Sequence, residues 1–164
     1  MAKKNYGIEE YLSGPKRLEE EVRKKEDHIA SLRSIVERTT ARLSLTAGRN
    51  PSKDDKQFDS IMAEIADEEK VLAELRQQLL NLQQEIEGFI DSLDQKDHRV
   101  FLRLMYIRGR SMKEIRSIMA LPKTTCFNLQ KKALREAEKK AAEEKIINRN
   151  ALERNGTLWN RTER

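Results

Sequence analysis

The stretch Leu93–Leu134, LDQKDHRVFLRLMYIRGRSMKEIRSIMALPKTTCFNLQKKAL, decides how the whole chain is read. It divides into three short helical segments with marked turns. Val100, Phe101, Leu104 and Ile107 recur at helical spacing and predict a first helix from about Gln95 to Ile107, with Arg99, Arg103 and Arg108 mostly facing out. Gly109 supplies its stop. Ser111-Met112-Lys113-Glu114 is a capping box, in which each of Ser111 and Glu114 can accept from the other's backbone amide. It opens a second helix, Met112 to Met119, whose expected buried face is Ile115, Ile118 and Met119. After Ala120-Leu121, Pro122 stands where a helix begins, since its fixed φ and missing N–H cost nothing there. A third helix from Lys123 tucks in Cys126, Leu129, Ala133 and Leu134. Two helices joined by so tight a turn have the spacing of a helix-turn-helix, which lays its second helix in the DNA major groove and its first across the backbone.

The residues left outward on the third helix suit that task. Lys123, Thr124, Thr125, Phe127 and Asn128 lie at its N-terminal end and are the candidate base readers. Asn can pair bidentately with adenine, Lys can reach guanine, and Phe or a Thr methyl can touch the thymine methyl. Arg110, Lys113, Arg116, Lys131 and Lys132 are the phosphate candidates, which fix register without carrying sequence. Charge points the same way. Residues 95–140 carry 13 Lys/Arg against 4 Asp/Glu, whereas residues 50–94 carry 4 against 12, so a net charge of +5 hides a basic block on the helix-turn-helix and an acidic block before it.

Working outward, hydrophobic content is 37% and charged content also 37%, too polar for a large globular core and better matched to long helices with narrow apolar stripes. From Pro15 to about Leu45, Leu18, Val22, Lys25, Ile29, Leu32, Val36, Thr39 and Leu43 alternate four and three residues apart. Lys25 and Thr39 interrupt this seam and could help to fix its register. Gly48 and Pro51 break the helix and predict a chain reversal at 46–52. From Lys53 the same spacing carries Phe58, Ile61, Ile65, Glu68, Leu72, Leu75, Leu79, Leu82, Ile86, Phe89 and Leu93, a rod of about 60 Å with Glu68 its one polar member. Each stripe needs a partner. The nearest is the other helix folded back as an antiparallel hairpin, and pairing between chains in a dimeric four-helix bundle is the competitor.

The expected fold is therefore all-α, a long antiparallel coiled-coil hairpin over 15–93 followed by a three-helix helix-turn-helix domain over 94–140. Residues 1–14 flank it as a segment that either docks through Tyr6 and Tyr11 or frays. Residues 141–164 follow as a polar tail whose one large apolar side chain, Trp159, could cap a hydrophobic gap or contact a partner, with the third helix continuing to about Ile147.

The string Leu104, Tyr106, Gly109, Ser111, Glu114-Ile115, Thr125 and Lys132-Ala133-Leu134 resembles region 4 of bacterial sigma factors, the part that reads the promoter −35 element. With its helical N-terminal half, the chain resembles more specifically the small phage late-gene transcriptional regulators of the ArpU-like group. The resemblance covers residues 93–135 closely and the rest in architecture. It implies a sigma-region-4-like fold and a sequence-specific regulator, an activator of late genes, that binds double-stranded DNA and contacts RNA polymerase or dimerises through its hairpin. Two departures stand out. Arg116 replaces the usual small residue against the third helix, and the third helix lacks the Arg-Glu-Arg cluster of housekeeping sigma factors, so a standard −35 target is not implied.

Catalytic chemistry has no foothold in the sequence. His28 and His98 sit among charged neighbours and read as solvated, the single Cys126 excludes a CxxC zinc site, and no Gly-rich phosphate loop exists. No enzyme activity, cofactor or metal is expected. The acidic 50–94 helix reads as a solvated face or as a surface for a protein partner, RNA polymerase among them. No apolar run has the length of a signal peptide or of a bilayer span, and a lone packed thiol suits a reducing compartment, so a bacterial cytoplasm is expected and no membrane partner. Two other classes stay open at this point: a DNA-packaging component of the small-terminase kind, and an antirepressor or inhibitor that acts by gripping another protein.

Overall fold

The structure is a computed structural model that describes residues 6–45 and 53–144. Among these residues the chain is all-α. Six helices follow in order: α1 (Tyr6–Leu12), α2 (Gly14–Leu45), α3 (Lys53–Asp91), α4 (Lys96–Leu102), α5 (Met112–Met119) and α6 (Lys123–Glu143). A π-helical stretch, Arg103–Ile107, continues α4. The reversal expected at 46–52, the run of α6 beyond Glu144 and the tail with Trp159 lie outside the described residues. Two compact units can be separated: Leu18–Leu80 form one, and Met1–Arg17 with Asn81–Arg164 form the other.

In the 18–80 unit, the alternating four-and-three spacing becomes a narrow core. Val22, Ile29 and Leu32 of α2 close on Ile65 and Leu72 of α3, with Val36, Ile61, Leu75 and Leu79 packed at the margins. Each such side chain contributes about 1.5–3 kcal/mol by leaving water. The two polar breaks in the stripes meet each other, for Lys25 Nζ lies 2.5 Å from Glu68 Oε2. The hydrogen bond from Lys25 holds the Glu68 carboxyl below its usual range. Thr39 is buried at 3% exposure because its hydroxyl donates to the Ile35 carbonyl at 2.9 Å, which satisfies it inside its own helix. Further pairs run in opposite sense along the helices: Arg76 donates to Glu26 at 2.6 Å, Arg33 pairs with Glu69, and His28 lies 3.6 Å from Glu64. Of the acids of α3 that the sequence offered as a solvated or partner-binding face, Glu68 and Glu69 are matched by Lys25 and Arg33 of α2, while Arg76 of α3 answers Glu26 of α2.

The second unit is built on α6. Its inward residues Ala133, Ala137 and Ala141 are fully buried and present nothing larger than a methyl, so α1 and α4 can both pack closely against it. The core around it contains Ile8, Leu12, Ile86, Ile90, Leu93, Phe101, Leu102, Ile115 and Cys126, all at 2% exposure or less. The N-terminal segment docks here as a helix. Tyr11 donates to Glu85 Oε1 at 2.9 Å and stands edge-on to Phe89, with ring centroids 5.6 Å apart. Burial first, and then the hydrogen bond to Glu85, push its phenol above the ordinary range.

Three expectations for this region need correction. Arg99 is half-buried and does not face out, whereas the Arg103 side chain stays 39% exposed as expected. Arg99 donates to the Leu93 and Asp94 carbonyls just past the end of α3, at 2.5 and 3.1 Å, and Arg103 pairs with Asp91. Nor is the first helix regular to Ile107. After Leu102 it widens, and the Arg108 amide donates to the Arg103 carbonyl five residues back at 3.0 Å. A widened turn rotates the following side chains off a single stripe, which leaves Leu104 and Ile107 half-buried, and Leu102 just before it is a core residue that the periodicity did not mark. Tyr106, mostly buried in this stretch, has its phenol pushed up to about 12 by that burial. Gly109, at φ 62°, does terminate the segment.

His98 is also not solvated. Its side chain is 14% exposed and its Nδ1 pairs with Glu136 Oε2. Glu136 Oε1 in turn accepts from the Asp94 amide at 2.7 Å and the Gln95 amide at 3.2 Å. Gln95, the residue that precedes α4, makes no side-chain cap of its own. A carboxylate from α6 therefore serves the N-terminus of α4, where the helix dipole favours negative charge.

Candidate nucleic-acid interface

Helices α5 and α6 and the turn between them carry every residue singled out for DNA except Arg110, which directly precedes them. The capping box is formed at both ends: the Glu114 amide donates to Ser111 Oγ at 3.3 Å and the Ser111 amide donates to Glu114 Oε2 at 2.8 Å. That backbone bond, more than any other interaction, holds the Glu114 carboxyl below its usual range. Arg110 Nη1 lies 3.3 Å from Glu114 Oε1, both side chains about half exposed. A surface pair of this kind is weak and screened by solvent, so Arg110 can be released to a phosphate.

Helix α5 ends on Ala120 in the left-handed conformation, φ 52° and ψ 45°, with the Leu121 amide closing back on the Arg116 carbonyl at 3.0 Å. This backbone costs alanine about 1 kcal/mol, and glycine adopts it freely. Ala120→Gly should therefore raise the unfolding free energy by about 0.5–1 kcal/mol, seen as a higher midpoint in a denaturant melt. A lower midpoint would mean that packing of the Ala120 methyl outweighs the relief of its backbone. Pro122 follows in extended conformation and precedes Lys123, the first residue of α6, so the first amides of α6 carry no side-chain cap. Uncapped amides at a helix start are ready donors to an anion.

The structure places all five base-reading candidates on the surface. Lys123, Thr124, Thr125, Phe127 and Asn128 are exposed, while Cys126 between them is fully buried. Phe127 is 42% exposed, so its ring is not consumed by the core. Lys113, Lys131 and Lys132 are exposed too, and have no ion-pair partner among the described residues. Arg116 differs from the other phosphate candidates. It is half-buried, and its Nε is buried without a hydrogen-bond partner among the described residues.

Two features escape the periodicity. Ile118, expected in the core, is 56% exposed, because the inward stripe of α5 runs through Ile115 and Met119 and leaves Ile118 to one side. Arg108 and Arg135 are exposed cations of the same unit, and their place inside the basic block is the available signal. Among the described residues no cluster of three or more His, Cys, Asp or Glu side chains is arranged to hold a metal, and no helix is long and apolar enough to cross a membrane.

Residues 39–138, well over half of the chain, match the model of a family described as a protein of unknown function, DUF1492. The chain belongs to this family. The matched span begins at Thr39 in α2 and ends at Glu138 in α6, so α3, α4, the capping box, the turn and the outward face of α6 all fall inside it. No curated protein and no solved structure matches the chain.

Proposed function

We propose that this protein is a sequence-specific, double-stranded-DNA-binding transcriptional regulator of the phage late-gene type. It acts in the bacterial cytoplasm without catalysis, and its sigma-region-4-like helix-turn-helix reads the site. The observation that supports this most is the composition of one exposed surface. Lys123, Thr124, Thr125, Phe127 and Asn128 stand exposed at the start of α6, followed along it by Lys131 and Lys132, and these two, like Lys113 on α5, are paired with no acidic side chain among the described residues. A merely solvated helix face does not need a mixture of amide, hydroxyl, aromatic and cationic ends behind a doubly closed capping box. Base edges in a major groove do. The cations supply the non-specific attraction and the register, and the short polar groups supply the reading.

The test is selection of bound fragments from random and host genomic DNA by the full chain. An enriched motif upstream of a gene cluster is the expected result. Retention of DNA with no enriched motif would leave only a packaging or structural role, and no retention at low salt would end the DNA reading altogether.

A further inference from the structure

The 18–80 unit has a groove on one face that the reading above does not use. It encloses about 600 Å³ between α2 and α3, with Ile29, Ala30, Leu72 and Ala73 along its floor. Its rims are Glu26, Arg33, Ser34 and Glu37 on α2 and Glu69 and Arg76 on α3. The two rims carry the same pattern, Glu-x3-Ala-x2-Arg, as Glu26-Ala30-Arg33 and as Glu69-Ala73-Arg76. The ion pairs fix their heights. Glu26 is level with Arg76, and Arg33 with Glu69. These two triplets therefore share a local twofold through the centre of the floor, with an acid and a base at alternate corners, and Ser34 and Glu37 stand outside it on the α2 side.

This pattern selects an occupant. Let a second, identical face be turned over onto the first by a twofold lying in the plane between them. If that axis runs along the helices, Glu26 of one copy meets Arg76 of the other and Arg33 meets Glu69. If it runs across them, Glu26 meets Arg33 and Glu69 meets Arg76. Either way all four corners bring opposite charges together. A partner of one charge sign gains little, since the four corners hold two acids and two bases and Glu37 beyond them leaves the lining one charge from balance. The alanines keep the floor low enough for helix backbones to approach, and Met62 and Leu80 extend the four-and-three spacing of the α3 rim with apolar side chains that are 44% and 48% exposed. We propose that this face is the homodimer interface, an antiparallel four-helix bundle made by two copies of the 18–80 unit about Ala30 and Ala73. The interface is isologous, as a twofold dimer requires.

The experiment measures the mass of the full chain by sedimentation equilibrium in the absence of DNA, over about 1–100 μM. The wild type should reach twice the chain mass. Ala30→Gln with Ala73→Gln, both at exposed positions and leaving every ion pair intact, should halve it without loss of helicity. Two charge sets sharpen the test. Arg33→Glu with Arg76→Glu makes an all-acidic rim, and Glu26→Arg with Glu69→Arg makes an all-basic one. Each should be monomeric alone, and an equimolar mixture should regain the doubled mass. A wild type that stays monomeric at the top concentration overturns the proposal. So does a dimer that survives the paired glutamines, because the interface then lies elsewhere. Neither result bears on DNA selection, so the two readings fail separately.

Discussion

Glu136→Ala should destabilise the α6-centred unit by about 2 kcal/mol or more, an effect read in denaturant melts as a lower midpoint at unchanged slope. Glu136 accepts from two backbone amides and from His98, and its side chain is only 19% exposed. Hydrogen bonds to a charged group are each worth roughly 1.5–3 kcal/mol, and the loss is softened here because water can reach the exposed Asp94 and Gln95. Glu136→Gln separates the parts, since its amide oxygen can still accept from the two backbone donors while the charge facing His98 and the α4 terminus is gone. It should fall between the wild type and the alanine variant. The effect has a pH signature. Burial pushes the Glu136 carboxyl up, but the bonds from His98, Asp94 and Gln95 outweigh it, and the net shift is below the ordinary value of 4.5. A carboxyl depressed in the folded state adds stability that is present above 4.5 and disappears as the pH falls through the lower folded value. The wild-type advantage over Glu136→Ala should accordingly shrink between neutral pH and strong acid. Glu114 is depressed as well, but it is common to both chains and cancels in the difference. A gap that stays constant down to the acid limb would show that Glu136 acts by packing alone.

The comparison between Glu114 and Glu136 shows what a sequence can and cannot disclose. Both carboxylates accept from the amide of a helix-preceding residue, Ser111 in one case and Gln95 in the other. The first donor lies three residues from its acceptor and forms a recognisable local pattern. The second lies 41 residues away, and nothing in the neighbourhood of Gln95 announces it. The same division runs through the rest of the chain. Helix periods, the Gly109 stop, the turn before Pro122 and the exposed start of α6 are local and can be read directly. The π-helical widening after Leu102 cannot, because one extra residue in a turn has no composition of its own. Ile118 departs from its expected burial for a related reason. At 100° per residue, a position three along from Ile115 sits at the edge of the stripe, and its burial is decided by what packs there, which is not a property of α5. Pairing partners of long polar side chains, such as Lys25 with Glu68, are settled by the register between helices.

The largest functional effects should come from the outward face of α6, together with Lys113 of α5, and should divide into two kinds. Replacing Lys113, Lys131 and Lys132 together by alanine removes three exposed cations that no acid among the described residues holds, so stability should change little. Affinity for every DNA sequence should fall alike, and the slope of log affinity against log salt should flatten by roughly three units, about 0.9 for each phosphate left without its cation. Asn128→Ala and Lys123→Ala should behave differently. A bidentate pairing with one base edge is worth about 1–3 kcal/mol of discrimination, so each change should relax preference at a single position of the selected motif and leave binding to random DNA close to the wild-type level. Phe127→Ala tests the apolar part of the surface: weaker preference for thymine at one position is expected, with the salt slope unchanged, because no ionic interaction is removed. The measurement is competition binding on the selected site, on single-base variants of it and on random duplex, each at several salt concentrations. If all of these substitutions lower specific and random binding by equal factors, the start of α6 does not read bases, and the basic block is an electrostatic patch and no more.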